Sequence, residues 1–286
     1  MLHLLLQLAA SGTTLVLLGT GTPRPNPEAS GPATAVVVGT RTFLFDAGPG
    51  VMRQLAAAKL PINGVTALFI THLHSDHTLG LPDLLLTSWV MGRQTPLVAF
   101  GPRGLRAMTD HIIEAWKEDI NVRETGLERE VPGGYRVSVR EISTRVLYDS
   151  AGVRVLAIPV EHGDWAEAYG FRIETPGKVI VISGDTRRSA AVEAAARGAD
   201  ILVHEVYPEG RLAPEPRPGG ESWPAYMRAF HTSDVEVGRL AAAARPKLLI
   251  LHHIVRMQGT DEDILAGVKR GGFTGRAVIG HDLERY

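Results

Sequence analysis

The sequence predicts an α/β (α+β) fold arranged as a four-layer αββα sandwich, and three observations carry that expectation. Short apolar runs recur from Thr14 onward, many of them ending in Gly, Asp or His; helical segments separate or follow them; and this arrangement occurs twice along the chain. Two sets of strands, each with helices to cover one face, bury their apolar surface by stacking the sheets face to face with the helices outside. No stretch reads as a linker, so residues 1–286 are expected to form a single domain.

In the first half, the runs TLVLLG, ATAVVVG, RTFLFDAG and VTALFITH read as strands, with a helix at VMRQLAAAK. Residues 81–120 read mainly as a helical insert, because LPDLLLTSWVMGR and LRAMTDHIIEAWKEDI carry apolar residues three and four apart. The second half supplies strands at YRVSVREI, VRVLAIPVEH, AYGFRIE, KVIVISGD, ADILVHEVY and KLLILHH, with helices at AAVEAAARG and SDVEVGRLAAAA. A Pro- and Gly-rich tract near residues 207–231 is too long for an ordinary connection and reads as a lid loop.

With 286 residues and 44% hydrophobic content, the chain can bury a substantial core. Its 30 basic and 31 acidic residues nearly cancel, so no overall field gathers nucleic acid or grips an anionic membrane. Cysteine is absent, which leaves any metal to His and carboxylates. The apolar start, MLHLLLQLAA, is too short to span a membrane and lacks the basic leading region of a signal peptide. It reads as a helix on the core or a homodimer contact. A cytoplasmic chain is expected, with periplasm or secretion open if this segment is a leader remnant.

The chemistry lies where VTALFI runs into Thr71-His72-Leu73-His74-Ser75-Asp76-His77. Alternation along a strand lets His72 and His74 face one metal, while Asp76 and His77, in the turn beyond, reach a second. A chance H-x-H-x-D-H in such a chain has a probability of roughly one in a thousand. Further ligands belong at other strand ends, and His162, Asp185 and His253 each terminate an apolar run. A carboxylate bridges two ions as a neutral imidazole does not, so Asp185 is the expected bridge. His72, His74 and His162 then take one ion and Asp76, His77 and His253 the other. His252 competes with His253, since alternation points only one of them into the site.

These motifs, THLHSDHTLG, VEH with AYGFRIE, ISGDT, VHEVY, the HTS at His231, LILHHI and the opening LLGTGTPRP, resemble the metallo-β-lactamase superfamily from Thr14 onward. Within it the sequence is most similar to the tRNase Z and arylsulfatase-like branch. The resemblance implies the αββα fold of that superfamily with metals at one edge, and carries the ligand roles onto the same seven residues. It also brings Glu205 and His231 near the attacked centre, with His231 contacting an oxyanion or protonating the leaving group and Glu205 orienting a histidine. Asp76 is counted with them as catalytic as well as a ligand; His204, His281 and Asp282 are expected to be structural.

Two Zn²⁺ ions, or Mn²⁺ or Fe²⁺ on the same donors, would activate a bridging hydroxide, and neither a GxSxG motif nor a cysteine offers a covalent nucleophile. Members of the tRNase Z group carry a long tRNA-gripping arm where only Glu174-Thr175-Pro176-Gly177-Lys178 stands here, and the charge is balanced. Asp185 argues against β-lactamase activity, whose enzymes usually lack it. The expectation is therefore a hydrolase of small phosphate or sulfate esters, arylsulfatase-like in its Trp89 and Trp116 segment, with a small-molecule substrate and no nucleic-acid partner. Trp165, Tyr207 and Trp223 are candidates for the wall of its pocket. RNA cleavage of the tRNase Z type, lactonase activity and a non-catalytic, metal-stabilised scaffold are the alternatives.

Overall fold

The computed structural model describes residues 12–286, which form two β-sheets with helices on their outer faces. The first sheet runs β1 (Thr13–Gly19), β2 (Ala33–Val38), β3 (Arg41–Phe45), β4 (Val65–Phe69), β5 (Leu97–Gly101) and β6 (Val137–Glu141) in spatial order. Its first three strands are antiparallel neighbours; from β3 onward each pair is parallel. Parallel neighbours require crossovers. These are α1 (Val51–Ala57) after β3, α2 (Ser75–Thr78) and α3 (Leu81–Val90) after β4, and α4 (Leu105–Ala115) and α5 (Lys117–Thr125) after β5.

The second sheet contains β7 (Val146–Ser150), β8 (Val153–Val160), β9 (Ala168–Glu174), β10 (Val179–Ile182), β11 (Ile201–Val206), β12 (Leu248–Ile254) and β13 (Arg276–Ile279), in spatial order from one edge to the other. Up to β10 the pairing is antiparallel, and from β10 to β13 it is parallel. The parallel part is crossed by α6 (Ala190–Ala196), by α7 (Trp223–Phe230) with α8 (Asp234–Ala244), and by α9 (Asp261–Arg270).

Period-two alternation sorts the strand residues into layers. Ala33, Ala35 and Leu44 pack under the first set of helices, whereas Val36, Val38, Phe43 and Phe45 turn toward the other sheet. In β12, Leu249 and Leu251 meet the second set of helices while Ile250 faces inward. Between the sheets Phe69 stacks on Phe45 and Phe100, each 5.0 Å away, and meets Phe171 edge-on at 5.8 Å. The αββα order of layers is thus the one the sequence predicts.

Several elements differ from expectation. YRVSVREI belongs to the first sheet as β6, because the β5–β6 crossover carries the chain through α4 and α5 before it reaches the second. LVAFG, inside the stretch read as mainly helical, is β5, a buried strand too short to show alternation. The strands β7 and β13 were not anticipated; both lie at sheet edges, and β7 is largely exposed. The tract at 207–231 ends in α7 rather than being loop throughout. The apolar segment MLHLLLQLAA lies outside the described residues, and with it the homodimer contact and leader remnant. No helix among the described residues is long and apolar enough to cross a membrane.

Candidate metal centre

The turn after β4 delivers four of the predicted residues, and the ends of β8, β10 and β12 deliver the other three. Nδ1 of His74 lies 2.9 Å from Nε2 of His72 and 3.1 Å from Nε2 of His162. Beside this trio, Oδ2 of Asp76 stands 3.5 Å from Nε2 of His77 and 3.2 Å from Nε2 of His253. Asp185 lies between the two groups, with Oδ2 3.5 Å from both His77 Nε2 and His253 Nε2 and a carboxylate oxygen within 4.8 Å of donors on His72 and His77. The structure therefore gathers all seven residues; two of its donor groups are the expected trios, while others join His72 and His77 to Asp185 and bring in His231 and Glu205.

Outer hydrogen bonds orient two of the rings. His162 Nδ1 donates to the carbonyl of Phe230 at 2.7 Å, and His77 Nδ1 donates to Asp46 Oδ2 at 2.8 Å. In a neutral imidazole that fixes the lone pair on Nε2, which faces the cluster. His77 Nε2 is buried and has no hydrogen-bond partner. A buried polar atom without a partner is costly unless something binds it, and the donor set, five imidazoles and two carboxylates, is that of a zinc-type metal. The residues fit two divalent ions.

Two glycines and one strained residue shape the site. Gly184, just before Asp185, has φ +61°, and a Cβ there would lie 2.5 Å from the carbonyl oxygen of Tyr169. Gly163, just after His162, has φ +54°, and its missing Cβ leaves room for the ring of Phe230. His253 adopts φ +44° at the end of β12, where a non-glycine residue is strained by about 1–3 kcal/mol. That departure from strand geometry turns His253 into the cluster; His252, one residue earlier, is buried with Nδ1 unpartnered and belongs to none of the donor groups.

Burial and charge act in opposition here. Burial pushes His74 and His162 down to about 4, and lowers His72 well below its ordinary value. For His77, burial works the same way but the carboxylates of Asp185 and Asp46 prevail and hold it well above that value. Asp185 is held well below the carboxylate range, since the charges of His253 and His77 outweigh its burial. The pocket as a whole favours ionised carboxylates facing imidazoles.

Glu205 and His231 adjoin this cluster. His231 Nδ1 is 3.3 Å from Glu205 Oε2, and donor atoms of His231 lie within 4.8 Å of those of His162 and Asp185. Glu205, fully buried, also accepts the backbone N–H of Thr232 at 2.8 Å. His231 caps α7 rather than opening α8; Ser233 performs that second job in a capping box with Glu236. Burial lowers His231 to about 4.

Two supporting residues escaped the sequence reading. Asp46 accepts from the Thr71 N–H and hydroxyl as well as from His77; its only signal was a strand-end Asp in RTFLFDAG. Asp282, expected to be merely structural, accepts from the N–H and hydroxyl of Thr20, from the N–H of Ser30 and from Gln54, while the Thr20 carbonyl accepts from the N–H of His253. The C-terminal tail thus braces the strained His253. Of the aromatic candidates, Trp165 donates to Nε2 of His74 at 2.8 Å, Tyr207 is buried, and Trp223 stacks on Tyr226, which stacks on Phe230. Trp89 fills a small core with Ile120 and Tyr135, so its presence marks packing and not an arylsulfatase-like pocket.

The chain matches the Beta-lactamase superfamily domain over residues 41–254. Ribonuclease Z of Mycobacterium marinum is 33% identical over 278 residues, covering 95% of this chain and 97% of that protein. Ribonuclease Z of Mycobacterium sp. (strain KMS) is 35% identical over 277 residues, with coverages of 95% and 94%. Among solved structures, the metallo-beta-lactamase fold protein YhfI from Bacillus subtilis has TM-score 0.72 at 18% identity, covering 96% of this chain and 98% of that one. Human tRNase Z, short form, has TM-score 0.71 at 22% identity with the same coverages.

These likenesses overturn the expectation of a small-molecule substrate and no nucleic-acid partner. The mycobacterial relatives named Ribonuclease Z run the length of this chain, and the chain covers 97% of one of them. The shortness of the β9–β10 connection therefore does not outweigh a likeness that spans nearly the whole chain. Balanced net charge failed as an argument for a physical reason: it sums the whole surface and says nothing of any one face.

Proposed function

Because the chain belongs to the metallo-β-lactamase superfamily, among hydrolases near tRNase Z, we propose that it is a two-metal hydrolase of phosphodiester bonds in RNA. The observation that carries this reading is the pair of donor trios joined by Asp185, in a chain aligned nearly end to end with Ribonuclease Z. His72, His74 and His162 would hold one Zn²⁺ and Asp76, His77 and His253 the other, with Asp185 serving both; Mn²⁺ or Fe²⁺ suits the same donors. Ions held there supply an acidified water at neutral pH and offset negative charge at the attacked phosphorus.

The remaining work falls to the protein. Asp46 and the Phe230 carbonyl fix the rings of His77 and His162, so the donor geometry exists before any ligand arrives. His231 faces the same space as Asp185 and His162, where it is placed to contact a phosphate oxygen or, once protonated beside the charged substrate, to pass a proton to the leaving oxygen. Glu205, anchored by the Thr232 amide, keeps that ring in place. Asp76 contributes as a ligand beside the attacked centre. An RNA substrate accords with the cytoplasmic location expected from the sequence.

Metal analysis combined with a tRNA precursor transcript tests the reading. The expected result is about two metal ions per chain and cleavage that a chelator abolishes and Zn²⁺ restores. A fully loaded protein that leaves the transcript intact would refute it.

A further inference from the structure

Overall neutrality hides a local gathering of arginines. Strand β7 accompanies β8 only as far as Leu156, beyond which the Ala157 N–H donates to the carbonyl of Arg145. Past that point the outer edge of β8 has no strand beside it among the described residues, and a cavity of about 480 Å³ opens between this edge and α6. Arg145, Arg172 and Arg197, from three separate elements, line it, and its floor is small and apolar, with Ala191 and Ala194 of α6 facing Pro159 of β8. Arg187 and Arg188 stand in the chain just before α6, whose far end is Arg197; neither lines the cavity itself.

The opposing carboxylates only partly neutralise these groups. Glu161 pairs with Arg187, and Glu174 with Arg172 at 2.8 Å. Glu193 is shared by Arg188 at 3.7 Å and Arg197 at 3.8 Å, too far for hydrogen bonds. Among the described residues no carboxylate lies within 4.0 Å of the Arg145 guanidinium, and Arg145, Arg187, Arg188 and Arg197 are all exposed. Five arginines against three carboxylates leave this strip with an excess of positive charge, centred on Arg145, and exposed guanidiniums along a shallow, small-residue trough fit a repeating anion whose charges are spaced in turn.

The trough also leads to the metal centre. Pro159 stands three residues before His162, at most about 10 Å of extended strand. Arg187 is two residues beyond Asp185, and its backbone N–H donates to the carbonyl of Glu161, next to His162. We propose that the groove between β8 and α6 carries the phosphodiester backbone of the RNA substrate toward the metal centre. This inference rests on the RNA reading of the site.

Steady-state cleavage of a tRNA precursor transcript over a range of salt concentrations, with an Arg145→Ala/Arg197→Ala variant of the full-length metal-loaded protein, tests it. KM is expected to rise about tenfold with kcat at saturating RNA and the thermal midpoint unchanged, and the slope of log affinity against log salt to fall by about one for each arginine removed. The charge-keeping Arg145→Lys/Arg197→Lys variant is expected to restore the slope. Wild-type cleavage with a variant whose KM and salt slope do not move overturns the groove alone. A wild-type chain that neither binds nor cleaves the transcript overturns the RNA reading beneath it.

Discussion

Asp185 lies with Oδ2 3.5 Å from Nε2 of both His77 and His253, is held well below the ordinary carboxylate range by those histidines, and is the carboxylate proposed to join the two donor trios. Asp185→Ala removes that link and leaves five imidazoles crowded around one remaining carboxylate. Metal content is expected to fall from about two ions per chain to one or fewer, with RNA cleavage lost; full activity in this variant, measured beside its metal content, would remove the bridging assignment. His231→Ala makes the contrasting case, because its ring lies against Glu205 and outside both trios. A drop in kcat of about 10²–10³-fold with metal content unchanged is expected from the loss of a positioned proton donor or oxyanion contact. Loss of metal in that variant would make His231 a ligand instead. At this scale the sequence was most legible where chemistry is local: H-x-H-x-D-H sits in six consecutive residues, and His162, Asp185 and His253 follow apolar strands. The supports were not legible, since Asp46 and Asp282 act across 31 and 262 residues of chain through hydrogen bonds that leave no spacing pattern.

The elements place these residues by ending at one edge. Strands β4, β8, β10 and β12 all run out there, and at two of the ends a positive-φ glycine turns the chain sharply enough to bring the neighbouring ligand inward. Gly163 carries a second duty, because the ring of Phe230 occupies the space its Cβ would take and the Phe230 carbonyl holds His162. Gly163→Ala is expected to cost about 1–3 kcal/mol of stability and to displace the end of α7. Denaturant unfolding measures the first effect, and slower RNA cleavage at unchanged metal content reports the second; a variant with wild-type stability would show that the ring yields freely. Strands with apolar runs, such as those of β10 to β12, were readable as buried strands, though not their parallel pairing. Edge strand β7 was not, since its apolar run is only Val146, Leu147 and Tyr148 and is followed by exposed Asp149 and Ser150, too short to show a period. Helix α7 was masked by the Pro and Gly around it, although Pro224 sits at its start, where a proline fits a helix.

Across the molecule, the inter-sheet layer of Phe43, Phe45, Phe69, Phe100 and Phe171 holds the two halves of the ligand set in register, for the first sheet contributes His72 to His77 and the second the rest. Phe171→Ala is expected to destabilise the fold by about 3–5 kcal/mol, read from denaturant unfolding, because Phe171 is fully buried against Phe45 and Phe69. A loss below about 1 kcal/mol would mean the layer re-packs around the gap. The αββα architecture was legible because both halves alternate strands with amphipathic helices; the substrate was not, because net charge and one short hairpin say nothing of how charge is distributed over the folded surface, where Arg145, Arg172 and Arg197 come to line one cavity. The claim on which everything else depends is that seven residues from two sheets form one divided metal site. Anomalous X-ray scattering at the zinc edge, from crystals grown with Zn²⁺, tests it most directly. Two peaks are expected, one within His72, His74 and His162 and one within Asp76, His77 and His253, with Asp185 between them; a single peak, or peaks held by other residues, would contradict it.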